Sequence, residues 1–218
     1  MHQQKLFLKL IVQMKGLLNS IVMRAILGLG NPGQKYGNTR HNCGFLVTNQ
    51  VAAFCQVKLA KRCFHLYRMG KITKGDEAII LIQPLTYMNN SGDIINEIDN
   101  FVKEEMVVIC DQMDLPVGSI RIKMGGGDAG HNGLKSIINN LDGFNGFTRI
   151  YVGIGRPKMG ESVVDHVLGV EEDQESFNEG ITKAKDALLD IINGDDVSNL
   201  MQKYNNKIKK VILAEDEL

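Results

Sequence analysis

The first 75 residues contain no aspartate or glutamate, and the first acid is Asp76. Twelve lysines and arginines fall in that stretch, leaving 13 basic and 25 acidic residues behind it in a chain of zero formal net charge. The neutral total therefore permits a basic face toward a polyanion, although folding can equally mix the two halves in space. Long unbroken apolar runs are missing, which excludes a membrane-spanning helix. Low-complexity linkers and internal repeats are missing too. The four cysteines, Cys43, Cys55, Cys63 and Cys110, form no C-x-x-C pair. A disulfide framework or zinc knuckle is disfavoured, since only Cys63 has a histidine close by, His65, and a reduced, cytoplasmic setting fits better.

What remains is an ordinary globular composition: 218 residues, 44% hydrophobic and 23% charged, enough for one domain with a full core. The apolar pieces LFLKLIV and LLNSIV near the amino terminus are interspersed with Lys5, Lys9 and Lys15. They match neither a secretory signal nor a transit peptide. MRAILGLGNPG, from Met23, reads as a natural start. We therefore expect residues 1–22 to be a weakly ordered or misannotated extension, 23–205 the domain, and 206–218 a tail.

Hydrophobic periodicity predicts strands at Arg24–Leu29, Phe64–Met69, Ala78–Gln83, Met106–Asp111, Ser119–Met124 and Thr148–Ile154. Helices are expected at Asn42–Phe54, with Thr39 or Asn42 as cap, and at Met88–Phe101, Leu134–Leu141 and Glu171–Asn193. Strands and helices alternate, but the strands around the KGDE turn form a hairpin. The fold class is thus α/β, a single domain with a mixed, mostly parallel central sheet flanked on both faces by helices.

GLGNPG at Gly28–Gly33 matches the G-x-G-x-x-G dinucleotide fingerprint. That fingerprint needs a helix opening at once and an acid about 20 residues on. QKYGNT continues as loop and no acid precedes Asp76, so a nucleotide cofactor is not expected. The loop instead places Asn31 at the carboxyl end of a strand, where open α/β sheets hold ligands. TRHN follows, with Arg40, His41 and Asn42 at a helix start; a lone histidine there is also a common solvated residue. Cys43 lies two residues from His41, on a different helix face, and reads as core rather than nucleophile. Asp111, Asp114, Asp128 and His131 invite a metal reading, but no ligand triad has a recognisable spacing. MGGGDAG lacks the Lys-Ser/Thr ending of a phosphate-binding P-loop and reads as a mobile or tight connection.

Taken in order, GLGNPG with TRHN, TYMNNSG (Thr86–Gly92), CDQMDLPVG (Cys110–Gly118), GHNGLKSI (Gly130–Ile137) and VGIGRP (Val152–Pro157) resemble the successive signatures of the bacterial-type peptidyl-tRNA hydrolases. The resemblance spans Arg24 to Gly194. It implies a single α/β domain that cuts the ester between a peptide and its tRNA, without metal or organic cofactor. It further implies His41 as catalytic histidine, Asp111 as its carboxylate partner, and Asn31, Asn89 and Asn132 as substrate-positioning amides. Tyr36 and Met88 match further site positions. The implied partner is the acceptor stem and CCA end of peptidyl-tRNA, met by a monomer with no membrane contact. The family grips the tRNA 5′-phosphate with a basic pair; Lys123 matches one member, and Tyr151 stands where the other is normally arginine. Arg149, two residues earlier, shares that strand face.

The chemistry suits those residues. An imidazole's ordinary pKa of roughly 6.5 leaves it able to accept a proton from water at neutral pH. A carboxylate can orient it, and asparagine amides can stabilise the oxyanion. Lys58, Lys61, Arg62, Arg121, Lys123 and Lys135 are candidates for phosphate contacts. The competing classes are a non-catalytic RNA-binding relative, opposed by the intact His41 and Asp111, and a small-ester or nucleotide enzyme, for which no nucleophile elbow or ribose acid is found.

Overall fold

The computed structural model describes residues 23–61, 63–75, 77–99 and 101–205. The expected extension 1–22 and tail 206–218 lie outside them, as does Arg62. Seven strands, β1 (Met23–Gly28), β2 (Ala60–Lys61), β3 (Tyr67–Lys74), β4 (Glu77–Pro84), β5 (Val107–Gln112), β6 (Ile120–Met124) and β7 (Thr148–Gly153), form one sheet ordered β2-β3-β4-β1-β5-β7-β6. The central four, β4, β1, β5 and β7, run parallel, while β3 and β6 add antiparallel at the two sides. This is the mixed, mostly parallel sheet that the alternation of elements predicts.

Alternating apolar residues send side chains to both faces, so the sheet needs cover on each. On one face Ile26, Leu81, Ile109 and Ile150 pack with α1 (Cys43–Phe54) and α4 (Gln174–Asn193). On the other, Leu27, Ile82, Val108 and Tyr151 pack with a 3-10 segment, Met88–Glu97, and with α2 (Asn132–Asn140). Each fully buried aliphatic contributes roughly 1.5–3 kcal/mol, so these two layers dominate stability. The order reverses direction between β1 and β5: from β1 the chain builds out to β4 on one side, and from β5 to β7 on the other. The crevice at the carboxyl ends of β1 and β5 is where such sheets bind ligands.

Two glycines, Gly28 at the end of β1 and Gly44 at the start of α1, account for the first glycine of the GLGNPG pattern. A Cβ at Gly28 would lie 2.3 Å from the Gly44 carbonyl oxygen, and one at Gly44 2.3 Å from the Leu29 nitrogen. They let helix and strand touch. After the motif the chain makes only a short 3-10 turn, Gln34–Tyr36, instead of the helix a dinucleotide site requires.

Several boundaries depart from the sequence reading. Met88–Phe101, expected as an α-helix, is 3-10 over Met88–Glu97 with a kink at Asn90 (φ −116°, ψ 17°). The Asn, Ser, Gly and Asp residues there favour bonds to nearby backbone over helix, as when the Ser91 hydroxyl donates to the Met88 carbonyl. The first strand of the hairpin is displaced toward the turn, running Tyr67–Lys74. Neither Thr39 nor Asn42 caps with its side chain. The last long helix starts at Gln174 behind Asp173, which accepts from the Ser176 N–H. One helix, α3 (Val163–Leu168), was not expected; Ser162 caps it by accepting from the Asp165 N–H.

Candidate active site

His41 lies in the 3-10 turn Arg40–Asn42 that leads into α1. Its Nδ1 stands 2.7 Å from Asp111 Oδ1, on β5 near its carboxyl end. Asp111 is 4% exposed and meets a second imidazole, with His131 Nε2 at 3.1 Å from the same Oδ1. Burial alone would raise the Asp111 carboxyl. The charges and hydrogen bonds of His41 and His131 outweigh it and hold the group well below the usual carboxylate range. These three side chains line a cleft with Asn132, and Met113, Val163, Val164 and Val167 give it an apolar wall.

The loop carrying His41 is fixed from both sides. Asn42 clasps Asn31: its Oδ1 accepts the Asn31 N–H at 2.8 Å and its Nδ2 donates to the Asn31 carbonyl at 2.9 Å. This is why Asn42 is not available as a cap. Asn31 Oδ1 in turn accepts the Met88 N–H at 2.8 Å, which fixes the amide so that Nδ2 is its free donor. Arg40 is buried, with Nε donating to Glu171 Oε2 at 2.7 Å and Nη1 to the His166 carbonyl at 2.9 Å. An isolated bridge joins Thr39 to Val170, and the Arg40 N–H donates to the Gly169 carbonyl at 3.0 Å. The turn holding His41 is thereby tied to the chain that leaves α3, whose valines form the opposite cleft wall.

The remaining expected residues fall around this centre. Met88 is buried beneath Asn31, and Asn89 is exposed in a neighbouring polar groove shared with Asn132, Lys135 and Ser136. Tyr36 is half-buried and meets Tyr87 edge-on at 6.4 Å. Cys43 is fully buried and burial pushes its thiol well up, so it serves the core and offers no thiolate.

The basic residues separate into two groups. Lys58 and Lys61 lie in and before β2, at the opposite edge of the sheet from Arg121 and Lys123 on β6. They cannot join one phosphate track there, while Lys135 stands beside Asn132. Lys123 is paired in register with Arg149 on β7. A Cβ at Gly126 would lie 2.9 Å from Lys123 Nζ and 3.7 Å from Arg149 Nη1, so both cations converge on that glycine. Arg149 is 0% exposed and 4.3 Å from the Phe147 ring. Its Nη2 donates to the Gly126 carbonyl, whereas Nε and Nη1 have no hydrogen-bond partner among the described residues. Tyr151 is buried against the sheet's cover, and that burial pushes its hydroxyl up to about 12.

His131 was considered from sequence only as a possible metal ligand near Asp111, and its role as a hydrogen-bond partner of that carboxylate was missed. The valine wall was missed with α3, although Ser162 and Asp165 carry the spacing of a helix cap. The metal set suggested by sequence is not assembled: Asp114 pairs with Arg156, and Asp128 accepts the Gly130 N–H at 2.7 Å. Donor atoms of His41, Asp111 and His131 do lie within 4.8 Å of one another and offer a cation three ligands. One proton on each imidazole satisfies the same contacts.

A parallel-centred sheet with polar groups gathered at its switch point is the arrangement in which α/β proteins hold their ligands. The family model for peptidyl-tRNA hydrolase matches residues 25–211. The chain is 39% identical over 194 residues to the peptidyl-tRNA hydrolase of Limosilactobacillus reuteri, covering 84% of this chain and 100% of that one. It is 43% identical over 177 residues to that of Bacillus anthracis, covering 78% and 94%. The crystal structure of peptidyl-tRNA hydrolase from Acinetobacter baumannii superposes with a TM-score of 0.70 at 31% identity, over 85% of this chain and 92% of that one. The chain belongs to the peptidyl-tRNA hydrolase family. No helix among the described residues is long and apolar enough to cross a membrane.

Proposed function

We propose that the chain hydrolyses the ester between the carboxyl end of a peptide and tRNA, with His41 as general base on water. The carrying observation is the 2.7 Å contact of His41 Nδ1 with Asp111 Oδ1. A carboxylate accepting from Nδ1–H leaves Nε2 bare, and a bare Nε2 takes the proton from the attacking water. Asp111 holds that tautomer and balances the imidazolium that forms. The free Nδ2 donor of Asn31, with the amides of Asn89 and Asn132, positions the acyl group and the terminal nucleotide, and Met88 supports Asn31 from below. Tyr36, with Tyr87, offers aromatic faces for stacking at the tRNA end.

Lys123 and Arg149 take the tRNA 5′-phosphate. A guanidinium whose Nε and Nη1 lack a partner among the described residues, beside Lys123, supports this reading, with Arg149 standing in for the arginine that Tyr151 replaces. The enzyme acts in the cytoplasm as a monomer on the acceptor stem and CCA end, and needs no metal. The deciding experiment compares N-acetyl-aminoacyl-tRNA with free aminoacyl-tRNA as substrates, with and without EDTA. Turnover of the blocked substrate alone, unchanged by EDTA, is expected. Equal turnover of both would remove the peptidyl specificity, and EDTA inactivation reversed by added zinc would put a cation in the trio.

A further inference from the structure

His131 is the residue before α2, and its ring does two things at once. Nδ1 accepts the backbone N–H groups of Gly133 at 3.1 Å and Leu134 at 3.3 Å, which caps the helix. A ring nitrogen accepting two N–H bonds carries no proton, so the proton of the neutral ring sits on Nε2. Nε2 points at Asp111 Oδ1, 3.1 Å away. The helix terminus therefore dictates the tautomer, and the tautomer makes His131 a donor to the carboxylate that holds His41. The other titratable groups whose charge is felt with Asp111 are the thiols of Cys43 and Cys110, both pushed well up by burial and so neutral. No other cation competes with the two imidazoles for Asp111 in the hydrogen bonds of the described residues.

We infer that His131 is a positioning residue for hydrolysis, fixing the Asp111 carboxylate through the same Oδ1 that meets His41, with the two ring centroids 5.0 Å apart, while setting the first turn of α2, where Asn132 sits. The inference rests on His41 being the base. It concerns a residue that touches no reacting atom, so its signature is a loss in kcat without a matching change in KM.

The two jobs of the ring are separable. An asparagine amide places an acceptor near the position of Nδ1 but cannot reach Asp111, so His131→Asn keeps the cap and loses the donor. A glutamine amide places a donor near the position of Nε2, so His131→Gln keeps the donor and loses the cap. Steady-state kinetics on N-acetyl-aminoacyl-tRNA and thermal midpoints are measured for both, beside His41→Ala and Asp111→Asn. For His131→Asn the expectation is an unchanged midpoint, an unchanged KM and kcat lower by roughly tenfold to a hundredfold, the size of one hydrogen bond to a charged group. For His131→Gln the midpoint falls while kcat stays within about threefold of the parent. In an Asp111→Asn background, His131→Asn is expected to cost nothing further.

A His131→Asn enzyme with parental kcat would overturn the inference and leave a helix cap only. So would a full additional loss in the Asp111→Asn background. Should His131→Gln fail to fold, the asparagine variant and its double mutant still decide. Robust turnover by His41→Ala would instead remove the base on which the inference rests, which is a separate result.

Discussion

The cleft holds Asp111 at 4% exposure, and the β6–β7 edge holds Arg149 at 0%. Around Asp111 the chain supplies the answering groups, two imidazoles that donate to one oxygen. Around Arg149 it supplies a carbonyl and an aromatic face, with the Asp128 charge felt but not hydrogen-bonded to it among the described residues, and a second cation, Lys123, stands close by. Burying an ion costs several kcal/mol unless it is paired. The first charge is answered by hydrogen bonds within the chain, whereas the second keeps two guanidinium nitrogens without a hydrogen bond among the described residues.

The sharpest way to break this contrast is His41→Ala. Turnover is expected to fall by roughly 10² to 10⁴, the worth of a general base, with tRNA affinity measured by filter binding changed only a few-fold. A variant that bound poorly and hydrolysed well would exchange the roles of the two sites. Asp111→Asn should cost less, because water can still reach an imidazole that has lost its orientation.

Arg149→Met tests the other side. Removing a buried cation with unmet donors should leave the thermal midpoint equal or higher. The same change should raise KM for 5′-phosphorylated substrate by roughly tenfold, one charge-assisted contact. Lys123→Ala should raise KM too and flatten the salt dependence by about one unit of slope. A falling midpoint with unchanged KM in Arg149→Met would make that residue structural, and an unchanged salt slope would remove Lys123 from the phosphate.

The pH dependence of stability separates the sites more gently. The Asp111 carboxyl is held below its ordinary value in the fold, so its contribution is full above the unfolded value of about 3.9 and is lost as pH falls below it. Chemical denaturation of Asp111→Asn should therefore show a shallower loss of stability on the acid side than the parent. Tyr151 is the smallest effect and has the opposite sign. Its folded value of about 12 makes its contribution full below an unfolded value of about 10 and lost as pH rises toward 12. Tyr151→Phe should soften the alkaline loss; an identical curve would show that the hydroxyl ionises without cost.

How much of this the sequence disclosed depended on whether a signal was local. The central strands, the hairpin and α4 were legible because continuous apolar runs and 3.6-residue periodicity are local. Met88–Glu97 was misread because its apolar spacing suggests a helix, while its Asn, Ser and Gly residues favour tighter turns. At the site, Asn31, His41 and Asp111 were legible in ordered motifs, and the structure brings His41 and Asp111 into contact. Asn42 was assigned to a cap when its amide serves Asn31, a choice decided by a neighbour eleven positions away. His131 stayed hidden because its meaning lies in a contact across twenty positions. The split of Lys58 and Lys61 from Lys123 is a matter of strand order, which charge counting does not contain.

The tie between Arg40 and Glu171 has a consequence for how the cleft is built. The ion pair and the Thr39–Val170 bridge join the turn carrying His41 to the strap behind α3, so the valine wall and the histidine ride on one frame. The two walls of the cleft are therefore one piece of architecture, and a change in either partner of the pair bears on both walls at once.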